Sequence, residues 1–283
     1  MNTISITKPI VSVNWLAEHI DHPDLIILDA TIKKVTSNEA IQNLNLKIKG
    51  ARFFDIKSTF SDKNTDIPNM LPSPEDFTEA SRKLGINARH TIVIYDSLGI
   101  YSAPRVRWMF KTMGHHNVAI LDGGFPEWYS SGLPCEPIND SQELYPYGDF
   151  KATYNPTLVT NSKRVLTEID NKNTLILDAR SPGRFTATEP EPRADLKGGH
   201  IPNSVNIHYT TVLENGKMKS IKEIQEILKN FNIEDKKLIF TCGSGITACI
   251  IMLAAELAGY HNVSVYDGSW SEWGLREGLP IKC

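Results

Sequence analysis

KLIFTCGSGITACII, residues 237–251, decides the fold. A short apolar run, as in a buried strand, gives way to a glycine-bearing loop. The apolar stretch CIIMLAAELAGY that follows has helical length. The segment has an echo, TIVIYDSLGIYSAPR at 91–105. There the same strand, loop and helix pattern recurs, with Asp96 standing opposite Cys242.

Other stretches repeat in the same order. LIILDAT (25–31) returns as LILDARS (175–181), and GHHNVAILDGGFPEW (114–128) as GYHNVSVYDGSWSEW (259–273). The period is far too long for a solenoid and marks a duplicated domain. Buried-strand runs alternate with helical stretches such as SPEDFTEASRKLG (73–85) and SIKEIQEILKNF (220–231). That alternation predicts an α/β protein with two tandem domains, each a mainly parallel sheet flanked by helices. The domains are expected at 1–135 and 158–283. The stretch 136–157, rich in Pro, Asn, Asp and Tyr, reads as the linker, with its aromatics on a domain surface.

Composition narrows the function. Thirty basic and 33 acidic residues in 283 leave a formal charge of −3, which gives no footprint for nucleic acid or an anionic membrane. No apolar run approaches the roughly 20 residues of a membrane span. The first 20 residues hold neither a cleavable apolar core nor an Arg-rich amphipathic face, so the expected compartment is the cytoplasm. Four cysteines without a CxxC pair read as reduced thiols, and the eight histidines form no metal-ligand pattern. No metal and no cofactor is expected.

Cys242 is the candidate nucleophile. A tight loop at a helix N-terminus gathers backbone N–H groups, and the helix dipole adds a positive field. Such a nest suits a thiolate or persulfide anion. Gly243 and Gly245 are expected to supply the backbone angles it needs, and residues 243–248, including Ile246 and Ala248, its amides. Against this stands the common fate of cysteine as a small core residue, the reading given to Cys249. The sixth position after Cys242 is Ala248, where a phosphatase loop of the Cys-x5-Arg type needs its bidentate arginine. Phosphoryl transfer is thereby disfavoured, and sulfur transfer from a small donor fits a loop without charge. With Asp96 in place of a thiol, the first copy reads as inactive, one wall of an interdomain cleft.

CGSGITA, GHIPNSVNI, DGSWSEW and the tandem repeat together resemble the rhodanese-type sulfurtransferases over nearly the whole chain. Gly243, Ser244 and Gly245 resemble the branch that takes sulfur from 3-mercaptopyruvate. Thiosulfate-preferring relatives carry basic residues there. The resemblance implies a Cys242 persulfide, release of pyruvate, and a thiol acceptor such as thioredoxin or a low-molecular-weight thiol, or cyanide. GRFTATEPEPR (183–193) resembles the branch's substrate segment, which carries over Arg184 and Arg193 as the carboxylate binders. A planar guanidinium also suits a carboxylate on its own chemistry. The competing reading has both arginines on the surface, paired with Glu189 and Glu191. The hydroxyls of Ser244 and Thr247 are candidates to hold the persulfide or to serve the leaving enolate, with helix capping as the alternative.

One departure stands out. The branch usually carries a histidine before MLP and an acid shortly after FFDI, forming a relay with the loop serine. Here those positions are Asn69 and Lys57, so the relay does not carry over. Thiosulfate:cyanide transfer, or a sulfur carrier without turnover, are the alternatives. Elsewhere, Trp128, Trp270 and Trp273 read as core, Asp29 and Asp178 as turn residues, and His200 as structural.

Overall fold

The computed structural model describes residues 4–34, 45–139 and 144–283. The chain forms two compact units. One comprises Met1–Ser61, Pro72–Asn155 and Asn215–Lys217; the other comprises Asp62–Leu71, Pro156–Glu214 and Met218–Cys283.

The first unit is built on a five-stranded sheet. Its spatial order is Ile10–Val11, Val118–Leu121, Thr91–Tyr95, Leu25–Asp29, Arg52–Phe53. The second unit repeats that order with Val159–Thr160, Val263–Tyr266, Lys237–Thr241, Thr174–Asp178, Val205–Asn206. Every neighbouring pair is parallel in both sheets. The central strands are apolar on both faces because helices cover both, so they read as continuous runs rather than alternating ones. Register follows the repeat: Ile27 lies beside Val93 in one sheet, Ile176 beside Ile239 in the other. The fold expected from the sequence, α/β with a mainly parallel sheet in each of two tandem domains, is present.

Local signals set the helices. Pro74–Lys83 begins where the Ser73 hydroxyl accepts from the Asp76 amide, with acids in its first turn and Arg82 and Lys83 in its last. Ile221–Lys229 carries a full capping box between Ser220 and Glu223. Trp128, Trp270 and Trp273 lie in the cores, at most 1% exposed. Asp29 and Asp178 each accept the amide two residues on, from Thr31 and Arg180, as turn-forming aspartates do.

The stretch read as a linker runs along the first unit. Residues 135–137 pair antiparallel with Leu46–Ile48. Beyond them, the Phe150 carbonyl accepts from Arg82 Nε at 2.7 Å and the Thr153 amide donates to Met113. Its aromatics divide. Tyr147 and Tyr154 are exposed, but Phe150 is buried against Phe77, Phe110 and His115, in an aromatic cluster of the first unit.

Candidate functional site

In the second unit the strand Lys237–Thr241 delivers Cys242 to the carboxyl edge of the sheet, and the helix Ala248–Leu257 starts six residues later. That is where ligands collect in parallel α/β folds. The backbone of Cys242 is held on both sides. Its amide donates to Ser269 Oγ at 3.2 Å, and its carbonyl accepts from the Trp270 amide at 2.9 Å. Gly243 O accepts both the amide and the hydroxyl of Ser271 at 2.8 Å. Ser269 is buried at φ 48°, a left-handed conformation that costs a non-glycine residue roughly 1–3 kcal/mol. The hydroxyl that grips Cys242 is the evident return on that strain. Its counterpart in the first copy, Gly124 at φ 55°, has no hydroxyl to offer.

Cys242 is buried in the loop, 2% exposed, with its backbone bonded to Ser269 and Trp270. The glycines differ from expectation. Of the two glycines only Gly245 has a positive φ, 78°. Gly243 lies against the Arg184 guanidinium: a methyl group there would stand 2.9 Å from Nη2, so the guanidinium would have to shift. Thr247 does precede the helix, but its side chain makes no capping bond. Capping therefore does not account for it.

Two neighbours complete the loop. Ser244 Oγ accepts from Asn69 Nδ2 at 3.0 Å, within the second unit, to which Asp62–Leu71 belongs. Cys249 is buried and its thiol donates to Gly245 O at 3.3 Å, which fits its reading as core.

The two copies differ most in what the loop amides do. In the first, the Asp96 carboxylate sits inside the loop, 1% exposed. It accepts the amides of Leu98, Tyr101, Ser102 and Ala103 at 2.8–2.9 Å. Burial pushes this carboxyl above its usual range, and the four amide bonds oppose that shift. In the second copy the amides of Ser244, Thr247 and Ala248 occupy the positions of Leu98, Tyr101 and Ser102. Among the described residues they donate to no protein acceptor. A carboxyl side chain takes up the loop amides in one unit; in the other a thiol stands at its sequence position and these amides have no acceptor among the described residues.

Arg184 lies against this loop, at the C-terminal end of the short helix Pro182–Phe185. Its Nε and Nη2 both donate to Glu191 Oε2, at 3.1 and 2.5 Å. Its Nη1 donates to none of the described residues, which leaves one edge of the guanidinium for a ligand. The partner is not a surface acid: the Glu191 side chain is 1% exposed. Glu191 in turn accepts from Arg180 Nη1 at 2.7 Å. Arg180 is wholly buried. It grips Asp178 at 2.6 Å, donates to Gly199 O at 2.8 Å and lies 4.2 Å over the Trp270 ring. This chain of Asp178, Arg180, Glu191 and Arg184 was not expected from the sequence.

Arg193 pairs with Asp195, through bonds of 2.6 and 3.2 Å at the surface, rather than with Glu189 or Glu191. Among the described residues it makes no hydrogen bond or ion pair with the loop. Ile246 is buried and Ala248 opens the helix. His200 is structural: it bonds the Phe185 carbonyl and stacks on the Phe185 ring. Lys57 is exposed, in the first unit, on a turn capped by Asp55.

A sequence model described as Rhodanese-like domain matches residues 12–131 and again 161–276. The 3-mercaptopyruvate sulfurtransferase of Escherichia coli strain K12 is 40% identical over 276 residues, covering 96% of this chain and 97% of that one. The thiosulfate sulfurtransferase of Rattus norvegicus is 39% identical over 281 residues, covering 95% and 93%. Among solved structures, SseA from Escherichia coli, a 3-mercaptopyruvate sulfotransferase with the rhodanese fold, superposes with a TM-score of 0.82 at 37% identity. It covers 93% of this chain and 99% of that one.

Proposed function

The chain belongs to the rhodanese family, and on that footing we propose that it moves sulfane sulfur from 3-mercaptopyruvate to a thiol or cyanide through a persulfide on Cys242. The observation that carries this reading is the pair of nests. In the first copy the Asp96 carboxyl accepts the loop amides, and around Cys242 the amides at the same positions donate to none of the described residues, which supports a loop suited to an anionic sulfur. A persulfide needs that kind of cradle.

The reaction runs in two halves. The Cys242 thiolate attacks the sulfur of 3-mercaptopyruvate, forming an S–S bond as the C–S bond breaks. The bonding pair leaves with carbon as the enolate of pyruvate. The enzyme-bound S–SH ionises, the enolate takes up one proton, and pyruvate departs. Ionised, the outer sulfur is an anion within reach of the amides of Ser244, Thr247 and Ala248. In the second half a thiolate attacks the outer sulfur, the new S–S bond forms on the acceptor, and Cys242 leaves as thiolate. Thioredoxin or a low-molecular-weight thiol fits that role. With Cys242 only 2% exposed, the first sulfur must come from a slender donor.

Arg184 binds the donor's carboxylate with the Nη1 edge that Glu191 leaves free, and Gly243 gives the guanidinium room to lie on the loop. Ser244 and Thr247 offer hydroxyls to the enolate oxygen or the persulfide. Arg193, paired with Asp195 at the surface, is a weaker second anchor for the same carboxylate, a role supported by the segment GRFTATEPEPR and not by its contacts. Arg184→Ala is expected to raise the KM for 3-mercaptopyruvate roughly tenfold, since a charged hydrogen bond is worth about 1.5–3 kcal/mol. Steady-state kinetics check this, and an unchanged KM removes Arg184 from the donor site.

A second donor has a specific observation behind it, the 39% identity to a thiosulfate sulfurtransferase. The loop argues against it, because no cation follows Cys242 to meet a dianion. The deciding experiment measures pyruvate release from 3-mercaptopyruvate with and without dithiol, beside thiocyanate formation from thiosulfate and cyanide. Faster turnover with 3-mercaptopyruvate is expected. Faster turnover with thiosulfate overturns the choice of donor, and persulfide formation without turnover in either arm makes the protein a carrier. The four thiols are all free, in keeping with a reducing compartment, and the cytoplasm is the proposed location. Among the described residues no helix is long and apolar enough to cross a membrane.

A further inference from the structure

We infer that Asn69 is a positioning residue for the Ser244 hydroxyl, and that it acts by donating to Ser244 so that the serine proton is kept for the substrate. The inference rests on the sulfur-transfer reading given above.

Asn69 is brought to the loop from 175 positions away in sequence. Its segment is anchored at both ends within the second unit. The Asp62 amide donates to Met70 O at 2.9 Å. The Leu71 amide donates to Asp267 Oδ2 at 2.7 Å, and Asp267 directly follows the strand Val263–Tyr266. Between these anchors Asn69 is held at φ 61°, in the left-handed region that asparagine tolerates better than most residues. The geometry aims Nδ2 at Ser244 Oγ, 3.0 Å away.

The direction of that bond decides what Ser244 can do. A serine hydroxyl has one proton and two lone pairs. With Asn69 donating, one lone pair is used and the proton stays free for an acceptor in the loop, where the enolate oxygen develops its charge. Were Ser244 the donor to Asn69, the proton would be spent and the enolate would lose a partner. An amide NH2 is a donor at every working pH, so it fixes this orientation without titrating. A bond aimed at charge that forms only in the transition state should appear in kcat rather than KM.

The test uses the whole chain and two variants. Asn69→Gly accepts the positive φ and removes the donor. Asn69→Asp keeps the shape and the backbone preference but turns the donor into an acceptor. For Asn69→Gly, kcat for pyruvate release is expected to fall about five- to tenfold with KM within about twofold, the scale of one neutral hydrogen bond. Asn69→Asp should fall at least as far, because its carboxylate captures the serine proton. Melting temperatures should stay near wild type for both. Full kcat in Asn69→Asp overturns the inference, since shape alone would then suffice. Full kcat in Asn69→Gly overturns it as well, as does an equal loss in a Ser244→Ala background. Failure of wild type itself to form a Cys242 persulfide from 3-mercaptopyruvate, read by mass spectrometry, overturns instead the reaction on which it rests.

Discussion

Cys242→Ser is expected to reduce sulfur transfer below detection while leaving the melting temperature within a few degrees of wild type. The two halves of that result have separate causes. An alcohol oxygen cannot accept and pass on a sulfane sulfur, so no covalent intermediate forms and pyruvate release stops. The fold does not notice, because the bonds that hold this residue run through its backbone, to Ser269 Oγ and from the Trp270 amide. Serine also fills nearly the same volume. Mass spectrometry after incubation with donor should find wild type heavier by one sulfur atom and the variant unchanged. Residual turnover at a sizeable fraction of wild type would move the chemistry to another group.

The largest loss of stability should come from Arg180. Its guanidinium is wholly buried and stands between two carboxylates that are themselves 1% exposed. Arg180→Met leaves Asp178 facing no cation and Glu191 with Arg184 alone. Breaking a buried pair by removing one partner costs about 3–5 kcal/mol, far more than the pair contributes against an apolar replacement. A domain of this size should then melt roughly 10 °C lower. Adding Asp178→Asn should recover part of the loss, because the uncompensated charge goes while its acceptor oxygen for the Arg180-position amide remains. Calorimetry of the single and double variants checks this. Melting within a couple of degrees of wild type would mean that water or a shifted side chain takes over the charge.

How much of this was legible beforehand depends on the kind of interaction. The duplication, the parallel sheets and the Pro74–Lys83 helix follow from local periodicity and capping, which any window of sequence carries. The Cys242 loop was legible for the same reason. Arg180 was not, although a signal existed. The turn after the second strand reads DAT in the first copy, with Thr31, and DAR in the second. The copies differ, among other positions, at Thr31 and Arg180, at Asp96 and Cys242, and at Gly124 and Ser269; Ser269 bonds the Cys242 amide, and Arg180 lies over the ring of Trp270, whose amide bonds the Cys242 carbonyl. The Asn69 bond, in contrast, left no local trace, since it joins segments 175 positions apart. The Arg184–Glu191 pair was foreseen as a surface contact worth little; its burial, which changes its energetic character, is a tertiary fact.

The filled nest of the first unit makes the molecule its own reference for hydrogen exchange. The amide protons of Tyr101, Ser102 and Ala103 are donated to the buried Asp96 carboxyl and should exchange slowly whether or not sulfur is loaded on Cys242. Those of Ser244, Thr247 and Ala248 should exchange faster in the resting protein and slow when sulfur is loaded on Cys242. One spectrum would thus report both the occupancy of the working loop and, from the other unit, the rate to expect once it is full.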